Sequence, residues 1–260
     1  MNIWTQRSLD LANQRDYLDQ LFKVYPMAPE TIREVNKGKW AKVESAFGDK
    51  DNATLLKNLL DLDLFPIKDS YVPYFRRDRT SIDRNPETVN RLAGRLYEMG
   101  LDTIWDRATQ PKETNRQIGP LFKRWLDTGV LGVPTLTSPE DFLNATNNCI
   151  LNISDAGLKL FAQTHLGYDI DKGLDFIGKF NGKYVIGEAK FLTDFGGHQD
   201  RQFDDAMKLA SFKSSKAICV GILDGVVYIP SRGRMYREVT SDKDRNIMSS
   251  LMLRDFLYQV

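Results

Sequence analysis

The chain has 260 residues, 42% of them hydrophobic, and its 36 Lys and Arg are nearly balanced by 35 Asp and Glu. That length suits one large domain or two small ones with a sizeable core. The even charge argues against a protein that coats nucleic acid non-specifically, while leaving room for a local basic patch that faces phosphates. No segment approaches the roughly 18–20 apolar residues of a membrane span, and the stretch from Met1 to Arg7 lacks the apolar run of a signal peptide. The two cysteines, Cys149 and Cys219, belong to no His/Cys cluster of zinc-ligand spacing, which argues against a structural zinc. A reducing cytoplasm is the natural compartment.

Residues 6–62 read as helical. Leu9, Leu11, Tyr17, Leu18, Leu21 and Phe22 make one apolar pattern, ended by Pro26, and Ala53 to Leu62 makes another, ended near Pro66. Pro86 suits the first position of a helix that runs to about Met99 and stops at Gly100. Gln117 to Leu126 forms a further helix with Phe122 and Trp125 packed, and residues 129–139 read as a loop. Neither a repeat nor a low-complexity linker interrupts this half. Residues 1–150 therefore read as a mostly helical layer packed on an α/β core that occupies residues 151–260.

That core opens with Ser154-Asp155, a capping residue and an acid in the first turn of a helix, followed at helical spacing by Leu158, Phe161, Ala162, His165 and Leu166. Next comes Leu174-Asp175-Phe176-Ile177-Gly178-Lys179-Phe180-Asn181-Gly182-Lys183-Tyr184-Val185-Ile186-Gly187-Glu188-Ala189-Lys190, which reads as a β-hairpin. Asn181-Gly182 favours a type I′ turn, because both central residues need positive φ. With that turn Phe180 pairs with Lys183, and continuing the register places Asp175 opposite Glu188, with Lys190 on the same face. Opposed carboxylates repel, and a hard divalent cation such as Mg²⁺ relieves the repulsion. Leu174, Phe176, Phe180, Val185, Ala189 and Phe191 form an apolar face behind them, and Ile177 and Ile186 flank the charged groups. A helix from about Gln199 to Phe212 follows, with Phe203, Ala206, Met207 and Ala210 as its apolar stripe. Residues 216–223 are a continuous apolar strand, which suits burial on both faces and makes Cys219 a buried free thiol. The tail, residues 247–260, spaces Met248, Leu251, Met252, Phe256 and Leu257 as a packed helix or a dimer contact, with the core reading preferred.

Asp175 followed by Glu188-Ala189-Lys190 on the next strand resembles the PD-(D/E)xK nuclease superfamily. The order helix, hairpin, helix, strand over residues 154–228 is similar to its core. Leu174 stands where the name residue, proline, precedes the first acid. Within the superfamily the chain looks like a type II restriction endonuclease, since it shows no helicase, ATPase or methyltransferase motif and the run from Gly187 through Gly196-Gly197-His198-Gln199 is similar to such enzymes. The resemblance implies a restriction-endonuclease-like fold: a mixed central β-sheet flanked by helices, α/β in class, with a mostly helical N-terminal half. It also implies a prokaryotic restriction–modification system, Mg²⁺-dependent cleavage of double-stranded DNA by phosphodiester hydrolysis, a homodimer, and no nucleotide cofactor. Asp175, Glu188 and the backbone carbonyl of Ala189 would hold the metal, and Lys190 would orient or activate water and offset developing charge. Many members carry a further acid on the preceding helix, for which Asp155 is the candidate.

Several stretches are candidates to touch DNA. His198, Gln199 and Arg201 open a helix beside the site, where phosphates bind and Gln and Arg can read base edges. Arg76, Arg77 and Arg79, with Arg84, Arg91 and Arg95 beyond them, form one basic stretch, and Arg232 and Arg234 lie in another. Residues 112–117 are polar enough to read bases. The rivals are a repair or recombination nuclease on the same core, a catalytically inactive DNA-binding module, and an α/β protein whose hairpin is only structural.

Overall fold

In the computed structural model, which describes residues 1–26, 34–110 and 118–260, six strands form one mixed sheet in chain order. They are β1 (Thr135–Leu136), β2 (Cys149–Leu151), β3 (Phe176–Phe180), β4 (Lys183–Leu192), β5 (Ala217–Gly225) and β6 (Asn246–Met248). β2, β3 and β4 are antiparallel neighbours, whereas β1 runs parallel to β2, and β4, β5 and β6 are mutually parallel. The fold class is α/β, as expected. β1, β2 and β6 lie outside the strands the sequence pattern marks: they are only two or three residues long, too short to show a period.

The helices, in chain order, are α1 (Ile3–Ala12), α2 (Tyr17–Val24), α3 (Lys37–Gly48), α4 (Asn52–Leu60), α5 (Val72–Arg77), α6 (Ser81–Arg84), α7 (Pro86–Ala108), α8 (Ile118–Asp127), α9 (Pro139–Asn144), α10 (Asp155–His165), α11 (Gly197–Ser211), α12 (Arg234–Ser241) and α13 (Leu253–Leu257). Among the described residues no helix is long and apolar enough to cross a membrane.

The chain divides into two compact units, one made of Met1–Met27 and Thr114–Val260, the other of Ala28–Glu113. This differs from a division at residue 150. β1 lies before that point and β2 spans it, both pair into the sheet, and α1, α2 and α8 contribute Trp4, Leu9, Leu21, Phe122 and Trp125 to its main apolar cluster. The unit Ala28–Glu113 has its own core, with Leu55, Leu56, Leu59, Phe75, Ile82, Leu92 and Leu96 buried together. There Asp51 caps α4 by accepting from the Thr54 N–H at 3.0 Å. Pro86 opens α7. Gly100 takes φ 76° and breaks the helix. It acts as a kink, not a stop, because Ile104 and Ala108 beyond it return to the same core.

Both faces of the central hairpin are covered. Phe176, Phe180, Val185 and Ala189 join the cluster that holds Phe122 and Trp125. Leu174, Ile177 and Ile186 pack with Leu158, Phe161 and Ala162 of α10 in a second cluster. Leu174 is therefore on the side of Ile177, not on the Phe176 face expected from strict alternation, because the strand begins only at Phe176. Helix α11 crosses close above Gly221, where an added Cβ would meet the Ala206 carbonyl and Ala210 Cβ at 3.4 Å. Gly221 pairs with Glu188, so this close approach brings α11 beside the charged groups. In the tail, Met248, Phe256 and Leu257 are buried, so the core reading holds; a strand and two short helical turns form it instead of one helix.

Candidate active site

The β3–β4 turn has the backbone its sequence demands, with φ 49° at Asn181 and 76° at Gly182. Pairing runs from Phe180 with Lys183 to Phe176 with Gly187, which is the expected register. It ends one residue before Asp175. Asp175 does not continue the ladder opposite Glu188; its N–H donates to the Gly187 carbonyl at 3.1 Å. Ala189 lies on the edge of β4 that faces β3, beyond the last paired residue, and its N–H donates to Asp175 Oδ2 at 2.9 Å. The Asp175 side chain thus replaces a strand at the end of the ladder, which holds the carboxylate firmly against β4.

Lys190 Nζ joins the two acids. It donates to Asp175 Oδ2 at 3.2 Å and forms an ion pair with Glu188 Oε1 at 2.6 Å. The side chains are 12% exposed at Asp175, 4% at Glu188 and 20% at Lys190, so the charges meet in a poorly solvated place where electrostatic effects are strong. Burial raises the Glu188 pKa above its ordinary value, helped by the negative charge of Asp175 and opposed by the two lysines nearby. For Lys190, burial favours the neutral amine, but the charges of Asp175 and Glu188 outweigh it, and the ammonium is held above its usual range.

A second lysine, which spacing along the chain does not reveal, completes the cluster. Lys172 Nζ lies 2.9 Å from Glu188 Oε1 and 2.7 Å from Asp205 Oδ2 of α11. It comes from the loop between α10 and β3, and Asp205 comes from a half-buried position of α11 outside the apolar stripe. Neither position has a local pattern that announces it.

The donor set suits a hard cation. Asp175 Oδ1 and Glu188 Oε2 stay outside the contacts just described, and all the groups on offer are oxygens. Among the described residues there is no group of three or more His, Cys, Asp or Glu placed to hold a metal ion. Mg²⁺ commonly takes one or two carboxylates, with water and substrate phosphate filling its octahedron. Asp155 is not part of the cluster. It stands in the first turn of α10, behind the Ser154 cap, is largely exposed, and pairs with Lys123.

The other candidates separate by how their groups are engaged. Gln199 is buried, and its amide bonds the Thr193 N–H and hydroxyl at 3.3 Å, which locks the start of α11. His198 and Arg201 are exposed, with His198 Nε2 3.2 Å from the Gln202 amide. Arg76 donates to the Leu62 carbonyl at 2.8 Å. Arg79 donates to the Leu60 carbonyl at 3.0 Å and to Asp61 at 2.9 Å, so both tie down the end of α4. Arg84 pairs with Asp78, and Arg91 and Arg95 share Asp69. Arg77 and Arg232 stand exposed. Arg234 pairs with Asp204 and Glu238 and lies over the Phe203 ring. Residues 112–117 lie outside the described residues. Cys149 and Cys219 are buried free thiols.

A family model described as Tsp45I type II restriction enzyme matches residues 2–260 of the chain. No curated protein and no solved structure matches it.

Proposed function

Since the chain belongs to the Tsp45I type II restriction enzyme family, and is thus a sequence-specific restriction endonuclease acting on double-stranded DNA, we propose that Asp175, Glu188 and Lys190 form its phosphodiester-cleaving centre. The observation that carries this reading is the single Lys190 ammonium in contact with both acids on one hairpin. The order α10, β3–β4, α11, β5, with β5 parallel to β4, supports assignment to the PD-(D/E)xK superfamily. Of the readings weighed from sequence, restriction is the one the family match favours.

Type II restriction enzymes generally use divalent metal ions, and here Mg²⁺ is the proposed one. Asp175, Glu188 and the Ala189 carbonyl would hold it, and when bound it would acidify a water and polarise a phosphoryl oxygen. The protein's own groups do the rest. Asp175 is fixed by the Ala189 N–H, so the metal-binding oxygens are placed before substrate arrives. Lys190, kept as an ammonium by the two acids, is a compact positive charge at the place where negative charge grows on the phosphate. Ile177 and Ile186, fully buried beside the acids, exclude water from the inner side. A homodimer, in which each subunit cuts one strand of a palindromic site, completes the proposal.

The test is digestion of unmethylated phage DNA with and without Mg²⁺. The expected outcome is discrete fragments in Mg²⁺ only. Asp175→Ala, Glu188→Ala and Lys190→Ala should each lower the rate by on the order of 10²–10³-fold or more while Ca²⁺-supported binding persists. Cutting at the parental rate by Asp175→Ala or Glu188→Ala would overturn the site.

A further inference from the structure

The geometry points to Lys172 as a resident counter-cation that yields Glu188 to the metal and is retained beside the site by Asp205, making Lys172 and Asp205 positioning residues for metal loading; this rests on the nuclease-centre reading above. Glu188 Oε1 forms ion pairs with two ammonium groups at once, Lys190 at 2.6 Å and Lys172 at 2.9 Å. A divalent ion drawn to the same carboxylate adds a third positive centre in a poorly solvated place, where like charges repel strongly. One ammonium must give way. Among the described residues Lys190 has Asp175 as its one other ion-pair partner, and that carboxylate is itself a proposed metal ligand. Lys172 has a partner outside the metal set, Asp205 Oδ2 at 2.7 Å. Lys172 Nζ is buried and held by ion pairing without a directed hydrogen bond, while its stem is about one-third exposed and Asp205 nearly one-half, so the lysine can shift off Glu188 without losing its counter-charge.

The arrangement has two consequences. Before metal binds, Lys172 offsets the charge of Glu188 from the side of Asp205, while Lys190 bridges Glu188 and Asp175. When metal binds, the Lys172 ammonium moves fully onto Asp205. Lys172 therefore competes with metal, and Asp205 weakens that competition only through Lys172. A general electrostatic influence would make the effects of the two residues add; this mechanism makes them non-additive.

The experiment is Mn²⁺ titration of the full-length protein without DNA, with free ion followed by electron paramagnetic resonance. Lys172→Met should tighten Mn²⁺ binding by about five-fold or more, and Asp205→Asn should weaken it by a similar factor. Adding Asp205→Asn to Lys172→Met should change affinity by less than about two-fold. The Mg²⁺ concentration for half-maximal cleavage should fall in Lys172→Met. Lys172→Gln, with the same expected direction, is measured beside it, and the variant that melts like the parent decides. Unchanged or weaker binding in Lys172→Met, or additive effects in the double variant, would overturn the proposal. Glu188→Ala is the separating control. If it binds Mn²⁺ as the parent does, the metal-site reading fails; if it loses binding while the lysine variants do not behave as stated, the role of Lys172 alone fails.

Discussion

Buried carboxylates in this chain are handled in two ways. Glu188 is surrounded by ammonium groups. Asp224 in β5 is fully buried and relies on hydrogen bonds, accepting from the Tyr25 hydroxyl at 2.8 Å, the Ser249 hydroxyl at 2.5 Å and the Ser250 N–H at 3.2 Å. Burial raises the Asp224 pKa above its ordinary value, and the hydrogen bonds only partly oppose this. A carboxyl whose folded-state pKa is raised contributes stability below its unfolded value, and that contribution is lost as pH rises through the folded value. Asp224→Asn keeps the group neutral at every pH. The melting temperature of the parent minus that of Asp224→Asn should therefore fall as pH is raised from about 4, near the unfolded aspartate value. A difference that grows with pH would sink this account. At the same scale, Glu188 and Lys190 were legible because two-residue alternation puts them on one face, and Asp175 because the turn brings it near, although it leaves the ladder before the place opposite Glu188 that alternation assigns it. Lys172 was not, because its place depends on a loop that no period describes.

Among the elements, α4 shows how a basic stretch can be structural. Arg79 donates to the Leu60 carbonyl at its C-terminal end, which has no intrahelical partner, and Arg76 to the Leu62 carbonyl just beyond the helix, whereas Arg77 on α5 stands exposed. Arg79→Ala should lower stability by roughly 1–2 kcal/mol, since polar groups lose their partner, and should leave the salt dependence of DNA binding unchanged. Arg77→Ala should leave stability within about 0.5 kcal/mol. If Arg77 meets phosphate, it should also reduce the slope of log K against log salt by about 1. Denaturant melts and binding isotherms at several salt concentrations separate the two, and an unaltered slope in Arg77→Ala removes it from the interface. Element positions were largely readable: the cap at Ser154, whose hydroxyl accepts from the Gly157 N–H at 3.1 Å, opens α10 where expected. The exposed Leu18 and Phe22 on α2, at 68% and 57%, show the limit of that reading. Helical spacing marks a stripe of apolar residues, but which of them reach the core depends on what packs against the helix.

For the whole molecule, the proposed homodimer predicts a sedimentation mass of twice 29.8 kDa, with a two-fold protein matching a two-fold site. A monomer both free and on a cognate duplex would overturn it. The two compact units divide the chain at places its composition does not mark, because residues 1–27 and 114–260 form one unit around the sheet and enclose Ala28–Glu113 in sequence. Pro26 and Pro29 flank the first crossing and Pro111 precedes the second, but single prolines also end ordinary helices, so a boundary at 150 was the reading adopted from composition.

The sequence by itself determined the hairpin, its register, the α/β order from α10 to β5, and the acid–acid–lysine set, because turn chemistry and two-residue alternation are local and act over neighbouring residues. Only the tertiary structure decided that Asp175 takes the Ala189 N–H in place of a strand partner, that Lys172 and Asp205 join Glu188, and that Gln199, Arg76 and Arg79 serve the fold. Those outcomes depend on groups that no helical or strand period relates, from six residues apart for Gln199 and Thr193 to 33 for Lys172 and Asp205, and packing settles which of them meet.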